Sequence, residues 1–99
     1  MQRRGYQVLE KNIQVGRFEI DIIALDKKHQ ELVFVEVKNR KNSRHGHPSQ
    51  AVDAKKLYKM AAAAEMYLRR QRLQQDYRFD IIAVSGNKIE HFENISWNF

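Results

Sequence analysis

Residues 17–38, RFEIDIIALDKKHQELVFVEVK, decide the fold of this chain. Residues 17–25 and 31–38 are rich in Ile, Val and Phe and alternate in polarity, a pattern that is typical of half-buried β-strands. The polar residues 26–30 between them predict a short turn, and two strands joined in this way form an antiparallel hairpin. The stretch therefore predicts a β-hairpin made of the second and third strands of the fold.

The flanking sequence predicts one helix and three further strands. Strand patterns cover residues 6–13, 78–84 and 88–95. A helix is predicted over residues 49–75, because Ser49 is a suitable N-cap and the run Ala61–Ala64 strongly favours a helix. The order β-β-β-α-β-β predicts an α/β fold with a mixed β-sheet and one main helix, in which a right-handed crossover makes the third and fourth strands parallel.

Length and composition narrow the functional classes. The chain has 99 residues, which predicts a single domain, and 42% hydrophobic with 30% charged residues argues against disorder. With no cysteine, a disulfide scaffold, a thiolate zinc site and a cysteine nucleophile are excluded. No membrane-length apolar run and no secretory signal is found, so we expect a cytoplasmic protein. The net charge of +6 favours a polyanionic partner such as nucleic acid.

Charged side chains interrupt both strands of the hairpin near one end. A turn at residues 27–30 gives the opposed pairs Leu25–Leu32, Ile23–Phe34, Asp21–Glu36 and Glu19–Lys38, although a slip of two residues would keep the faces and change the pairs. Two carboxylates about 4 Å apart repel by roughly 1 kcal/mol in water and by more when partly buried. Asp21 and Glu36 therefore need compensation from Lys38, a proton or a divalent cation.

Two interpretations of these charges remain open from the residues alone. Mg²⁺ binds through one or two carboxylates plus water and phosphate oxygens, and a metal beside a lysine is a phosphodiester-cleaving set. The alternative is an exposed salt-bridge ladder in which Glu19 and Lys38 form an ordinary cross-strand pair.

The same residues carry a family resemblance. Glu19-Ile20-Asp21 followed by Glu36-Val37-Lys38 resembles the PD-(D/E)XK nuclease signature. The wider string GRFEIDIIALD…ELVFVEVKNR…HGHPSQAV…RFDIIAV…IEHFENI, from about Gly5 to Ile95, resembles the YraN-like family of uncharacterised bacterial proteins. That family is similar in fold to Holliday-junction resolvases and restriction endonucleases.

The resemblance implies a restriction-endonuclease-like fold and a metal-dependent endonuclease that hydrolyses DNA phosphodiester bonds, of branched or damaged DNA. It implies that Asp21 and Glu36 bind Mg²⁺ or Mn²⁺ with help from the Val37 carbonyl, that Lys38 is catalytic, and that Glu19 is an auxiliary acid. Members of the family usually begin with another helix that bears a glutamate. This chain starts at Met1 without it, so we expect the site to lack that glutamate.

Partners follow from charge and from the expected sheet. We expect DNA phosphates to contact the basic residues Arg40, Lys41, Arg44, Lys55 and Lys56. An uncovered sheet face or edge is an association surface, and junction-cleaving relatives pair two sites by two-fold symmetry, so we expect a homodimer. The alternative functions are a nucleic-acid-binding module without catalysis and a protein-interaction module of the same fold.

Overall fold

The computed structural model describes residues 5–39 and 54–94, except for the side chains of residues 54–56. One helix and five strands lie within these ranges, in the predicted order. They are β1 (Tyr6–Val15), β2 (Phe18–Asp26), β3 (Glu31–Asn39), α1 (Ala54–Arg70), β4 (Tyr77–Ser85) and β5 (Lys88–Phe92).

The strands form one mixed five-stranded sheet in the order β1-β2-β3-β4-β5. β3 and β4 are parallel, as predicted for strands connected through a helix, and the other neighbours are antiparallel. The predicted hairpin register is confirmed from Asp26 opposite Glu31 to Ile22 opposite Val35. Two apolar pairs of this register, Ile23 with Phe34 and Leu25 with Leu32, lie on the helix-facing side of the sheet, and a slip of one residue would turn them to the other face.

Both faces of the sheet carry buried apolar side chains, which explains the nearly continuous apolar run in β3. On one face, α1 packs over Phe34, whose ring makes edge contacts with Tyr67 and Tyr77 at centroid distances of 6.0 and 5.8 Å. The helix-side cluster consists of Val15, Ile20, Ile23, Leu32, Phe34, Met60, Ala63, Ala64, Tyr67, Phe79 and Ile81. The smaller cluster on the opposite face consists of Tyr6, Ala24, Val33 and Val35.

The end of α1 corrects the predicted boundary at residue 75. The helix ends at Arg70 because Arg72 adopts a φ of 54°, in the left-handed region. Arg72 N–H donates to the Arg69 carbonyl at 3.1 Å, and Leu73 N–H donates to the Leu68 carbonyl at 2.9 Å, which is a Schellman motif. No glycine directly follows the end of the helix, so the usual sequence signal for a helix C-terminus is missing here. The predicted N-cap, Ser49, lies outside the described residues.

Two strand boundaries also differ from the prediction. β1 continues to Val15 instead of ending at residue 13, and β5 ends at Phe92 instead of residue 95. Asn12 has a φ of 50° but stays within the strand. No helix within residues 5–39 and 54–94 has the length and apolar character that crossing a bilayer requires.

Candidate active site

Asp21 and Glu36 meet at the end of the β2–β3 hairpin, around a small cavity. The cavity measures about 10 Å³, close to the lower limit for one water molecule. Its other walls are Phe18, Glu19, Ile20, Phe34, Val35, Met60 and Phe79. The hairpin thus brings two predicted ligands to one space against the helix-side cluster.

The cavity exists because the β2–β3 ladder stops just before it. Among the described strand residues, the last cross-strand pair is Ile22 with Val35. Beyond this pair, the Val37 backbone N–H donates to Asp21 Oδ2 at 2.8 Å. The predicted ladder pair between Asp21 and Glu36 is therefore wrong in detail, because the Asp21 side chain bonds the backbone of β3 and the two carboxylates flank the cavity instead.

The alternation of faces in β2 is interrupted at the same point. Ile20 and Ile23 both pack in the helix-side cluster, although strict alternation would send residues three apart to opposite faces. In the register of β1 with β2, Lys11 pairs with Ile22 and Ile13 pairs with Ile20, and Asn12 between them has a φ of 50°, which asparagine tolerates better than most residues. The irregular backbone is local to the predicted site.

Lys38 supplies the nearest described cation. Its Nζ lies 3.3 Å from Glu36 Oε1, with side chains 28% and 13% exposed respectively. Residues two apart on a strand share a face, so Glu36 and Lys38 point to the same side of β3. The predicted pair of Glu19 with Lys38 lies beyond the last cross-strand pair between β2 and β3, and Lys38 forms its ion pair with Glu36 instead.

The side chains of the five predicted DNA-binding residues cannot be located relative to the cavity. Arg40, Lys41 and Arg44 lie outside the described residues. Lys55 and Lys56 lie in the first turn of α1, but their side chains are also outside the described part of the chain. The roles of these five residues stay predictions.

A second charged cluster, the Arg78 network, lies on the opposite face of the sheet. Arg78 is 5% exposed. Its guanidinium donates to Asp26 Oδ2 at 2.7 Å and, in a bidentate arrangement, to Asp80 Oδ1 and Oδ2 at 3.0 and 3.2 Å. It also donates to Tyr6 Oη at 2.7 Å and to Glu31 Oε1 at 3.1 Å. Buried charges are expected to be paired in this way.

Both aspartates of the Arg78 network are held in the ionised form. Burial alone would raise the pKa of Asp80, but hydrogen bonds from His91 and Arg78 outweigh burial and hold that pKa below its usual range. His91 Nε2 lies 2.6 Å from Asp80 Oδ2. Burial would also raise the pKa of Asp26, and hydrogen bonds from Arg78 and His29 lower it.

The Arg78 network contains a group whose spacing would suit a metal ion. Ligand atoms of Asp26, His29 and Glu31 lie within 4.8 Å of one another. Arg78 Nη1, however, contacts both carboxylates of this group, at 2.7 and 3.1 Å. The guanidinium therefore already supplies the cation that these acids need.

The sequence patterns did not reveal this network. Asp80 lies on a strand face, but it is 0% exposed. The available signal was the pair Arg78 and Asp80, two residues apart in the otherwise apolar strand RFDIIAV. Opposite charges on one face of a buried strand indicate an internal ion pair.

Comparisons with known proteins identify the family. Residues 1–84 match the uncharacterised protein family UPF0102. The chain belongs to this family. A UPF0102 protein of Cytophaga hutchinsonii is 38% identical over 89 residues, covering 90% of this chain and 77% of that relative. A UPF0102 protein of Sulfurihydrogenibium sp. is 41% identical over 91 residues, covering 91% of this chain and 77% of that relative.

A solved structure supports the fold. The crystal structure of a repair endonuclease from Pyrococcus abyssi aligns with a TM-score of 0.50 and 17% identity, covering 82% of this chain. This UPF0102 chain spans 30% of the length of that protein. The mixed sheet with one helix is therefore endonuclease-like, as the resemblance implied.

Proposed function

We propose that this UPF0102 protein is a metal-dependent endonuclease that hydrolyses DNA phosphodiester bonds. The observation that carries the proposal is the cavity between Asp21 and Glu36 with Lys38 beside it. Asp21 keeps one carboxylate oxygen for a ligand while the other accepts the Val37 N–H. Hard oxygen donors around a water-sized space fit Mg²⁺ or Mn²⁺.

Each residue has a distinct proposed role. Asp21 and Glu36 would hold the metal, with the Val37 carbonyl as a further ligand and Glu19 as an auxiliary acid. When bound, the metal supplies a polarised phosphoryl oxygen and an activated water. The Lys38 ammonium lies 3.3 Å from Glu36 and places a positive charge where the scissile phosphate develops negative charge.

DNA is the proposed substrate because of charge and fold. The net charge of +6 favours a polyanion, and the structure that shares the fold is that of a repair endonuclease. We extend the proposal to branched or damaged DNA and to a homodimer that pairs two sites. A dimer with two-fold symmetry would present two cavities to a branched substrate.

The test is a nuclease assay on linear duplex and four-way-junction DNA, with Mg²⁺, with Mn²⁺ and with a chelator. We expect cleavage only with metal, and a loss of at least about 100-fold for Asp21→Asn, Glu36→Gln and Lys38→Met. Two exposed residues away from the cavity give the matched controls Glu90→Gln and Lys28→Gln, which should keep the parent rate.

Two outcomes would overturn the proposal. Metal-independent cleavage, or equal loss in the controls, would remove the role of the cavity. Salt-dependent DNA binding with no cleavage under any metal would instead favour the alternative of a nucleic-acid-binding module.

A further inference from the structure

A groove runs between α1 and the β1–β2 turn, next to the proposed active site. Its volume is about 370 Å³, within the range of sites that take small organic groups. The lining residues are Val15, Gly16, Arg17 and Phe18 from the turn, and Tyr58, Lys59, Ala62, Ala63 and Met66 from the helix. Phe18 also lines the cavity between Asp21 and Glu36, so the two spaces are neighbours that share this residue.

The groove forms where a small side chain of α1 lies between two large ones. Tyr58, Ala62 and Met66 follow one another at intervals of four, so they lie in a row on one face of α1. Ala62 leaves a depression between the two larger side chains. At the Met66 end the turn approaches closely, because a Cβ on Gly16 would lie 3.4 Å from Met66 Cε.

Tyr58 is the unusual residue of the groove. It is 79% exposed, more than any other large apolar side chain among the described residues. None of the described aromatic rings lies in contact with it. A tyrosine that packs on little of its own chain offers a flat face to a ligand, as stacking platforms for nucleic-acid bases do.

The charge around Tyr58 selects the kind of ligand. Arg17 and Lys59 flank the groove on its two walls, and both are exposed. Neither forms an ion pair with any residue in the described ranges. Two free cations beside an aromatic ring complement a chain of bases and phosphates, whereas an apolar peptide would leave both cations unmatched.

We propose that the groove binds an unpaired nucleotide of the DNA substrate, with its base stacked on Tyr58 and its flanking phosphates on Arg17 and Lys59. The inference rests on the proposed DNA substrate, but not on cleavage. It narrows that substrate to DNA with a single-stranded segment, since a base within a duplex has no free face for Tyr58. Because Phe18 lines both spaces, a DNA strand bound in the groove would lie next to the cavity of Asp21 and Glu36.

The experiment measures binding in EDTA, so that cleavage plays no part. The probes are fluorescein-labelled thymidine strands of about 12 nucleotides, matched strands with abasic sites at the central positions, and the corresponding duplex. The abasic strand keeps the phosphates and removes the bases. We expect the parent to bind the thymidine strand roughly 10-fold more tightly than the abasic strand.

Substitutions separate the stacking of the base from the binding of the phosphates. Tyr58→Ala should lose the preference for bases and Tyr58→Phe should keep it, because the ring is retained. Arg17→Gln and Lys59→Gln should each reduce the slope of log Kd against log salt by about 0.7 on either strand. Ile89→Ala, at an exposed apolar residue of β5, and Lys28→Gln, in the β2–β3 turn, are the matched controls.

The outcomes separate this inference from the proposed nuclease. A preference for bases that depends on Tyr58, without cleavage in Mn²⁺, supports nucleotide binding in the groove and contradicts the proposed nuclease activity. Cleavage with unchanged binding by Tyr58→Ala contradicts the groove and leaves the nuclease standing. Failure of the parent to bind any of the three probes overturns the assignment of the groove as a nucleotide-binding site. Since the Tyr58 side chain is mostly exposed, melting curves should show every variant folded.

Discussion

The two carboxylate clusters of this protein lie on opposite faces of one sheet and differ in how their charge is compensated. The Arg78 network is closed: a buried guanidinium contacts three carboxylates, and Asp80 also accepts the Asn94 backbone N–H at 3.0 Å. The carboxylates of Asp21 and Glu36 face a cavity, with one backbone N–H and the half-buried Lys38 amine as neighbours.

The difference shows what distinguishes a structural charge cluster from a candidate site. Both clusters contain acids at short spacing, and the acids and histidine of the Arg78 network match metal-ligand spacing more closely. A guanidinium with five donors, however, satisfies that group from within the chain. Asp21 and Glu36 line a space of the size of a water molecule, whereas the carboxylates of Asp26, Glu31 and Asp80 accept hydrogen bonds from Arg78.

The largest effect that would test this comparison comes from removing each cation. Arg78→Met should lower the free energy of unfolding by about 3–5 kcal/mol, because buried acids lose their partner. Lys38→Met should lower it by about 1 kcal/mol or less, because that pair is partly exposed to water. Urea denaturation at neutral pH measures both values.

The Arg78→Lys variant sharpens the same measurement. Lysine keeps the charge but cannot reproduce the forked contacts to Asp80, so its stability should fall between those of the parent and Arg78→Met. Equal losses in the free energy of unfolding for Arg78→Met and Lys38→Met would mean that the two clusters depend on their cations to the same extent.

The hairpin could be predicted because its physics is local. Apolar pairs at its turn end, such as Leu25 with Leu32, specify the register through burial, and this register is the one observed. The helix stop at Arg70 could not be predicted, because an arginine at position 72 takes the left-handed conformation that glycine usually signals.

The candidate site could be predicted only as a set of residues. The sequence indicated that Asp21, Glu36 and Lys38 would lie together, but not that the ladder would end at Ile22 or that Asp21 would accept the Val37 N–H. A side chain that accepts a backbone hydrogen bond from the neighbouring strand does not change the alternation of polar and apolar residues in the sequence. The Arg78 network was missed because Asp26 and Glu31 lie 52 and 47 residues before Arg78 in the sequence.

A smaller effect tests which cluster binds metal. Mn²⁺ at ten times its Kd should stabilise the parent by about 1.4 kcal/mol, which raises Tm by roughly 5–10 °C. Asp21→Asn should abolish this rise while keeping its fold, because an asparagine oxygen can still accept the Val37 N–H. Differential scanning fluorimetry with a metal titration measures the change.

His29, the histidine that contacts Asp26 in the Arg78 network, provides the control for this titration. His29 is exposed and lies 2.8 Å from Asp26. His29→Gln should keep the full response to Mn²⁺, since the guanidinium occupies that group. Loss of the response in His29→Gln but not in Asp21→Asn would move the metal to the opposite face of the sheet.

The smallest effect concerns acid and is confined to the Arg78 network. Because Asp26 and Asp80 have pKa values below the usual range, the folded state binds fewer protons than the unfolded state as pH falls below about 4. Their contribution to stability is therefore complete above about pH 5 and is lost as pH falls toward the folded-state values, by up to roughly 1 kcal/mol per carboxylate between pH 4 and pH 3. Carboxyl-carbon NMR should show Asp26 still ionised at pH 3 and Asp80 titrating below its usual range, and the free energy of unfolding from urea denaturation should fall over the same interval. Titration of Asp80 near its ordinary pKa, with no such fall, would contradict a closed and fully compensated cluster.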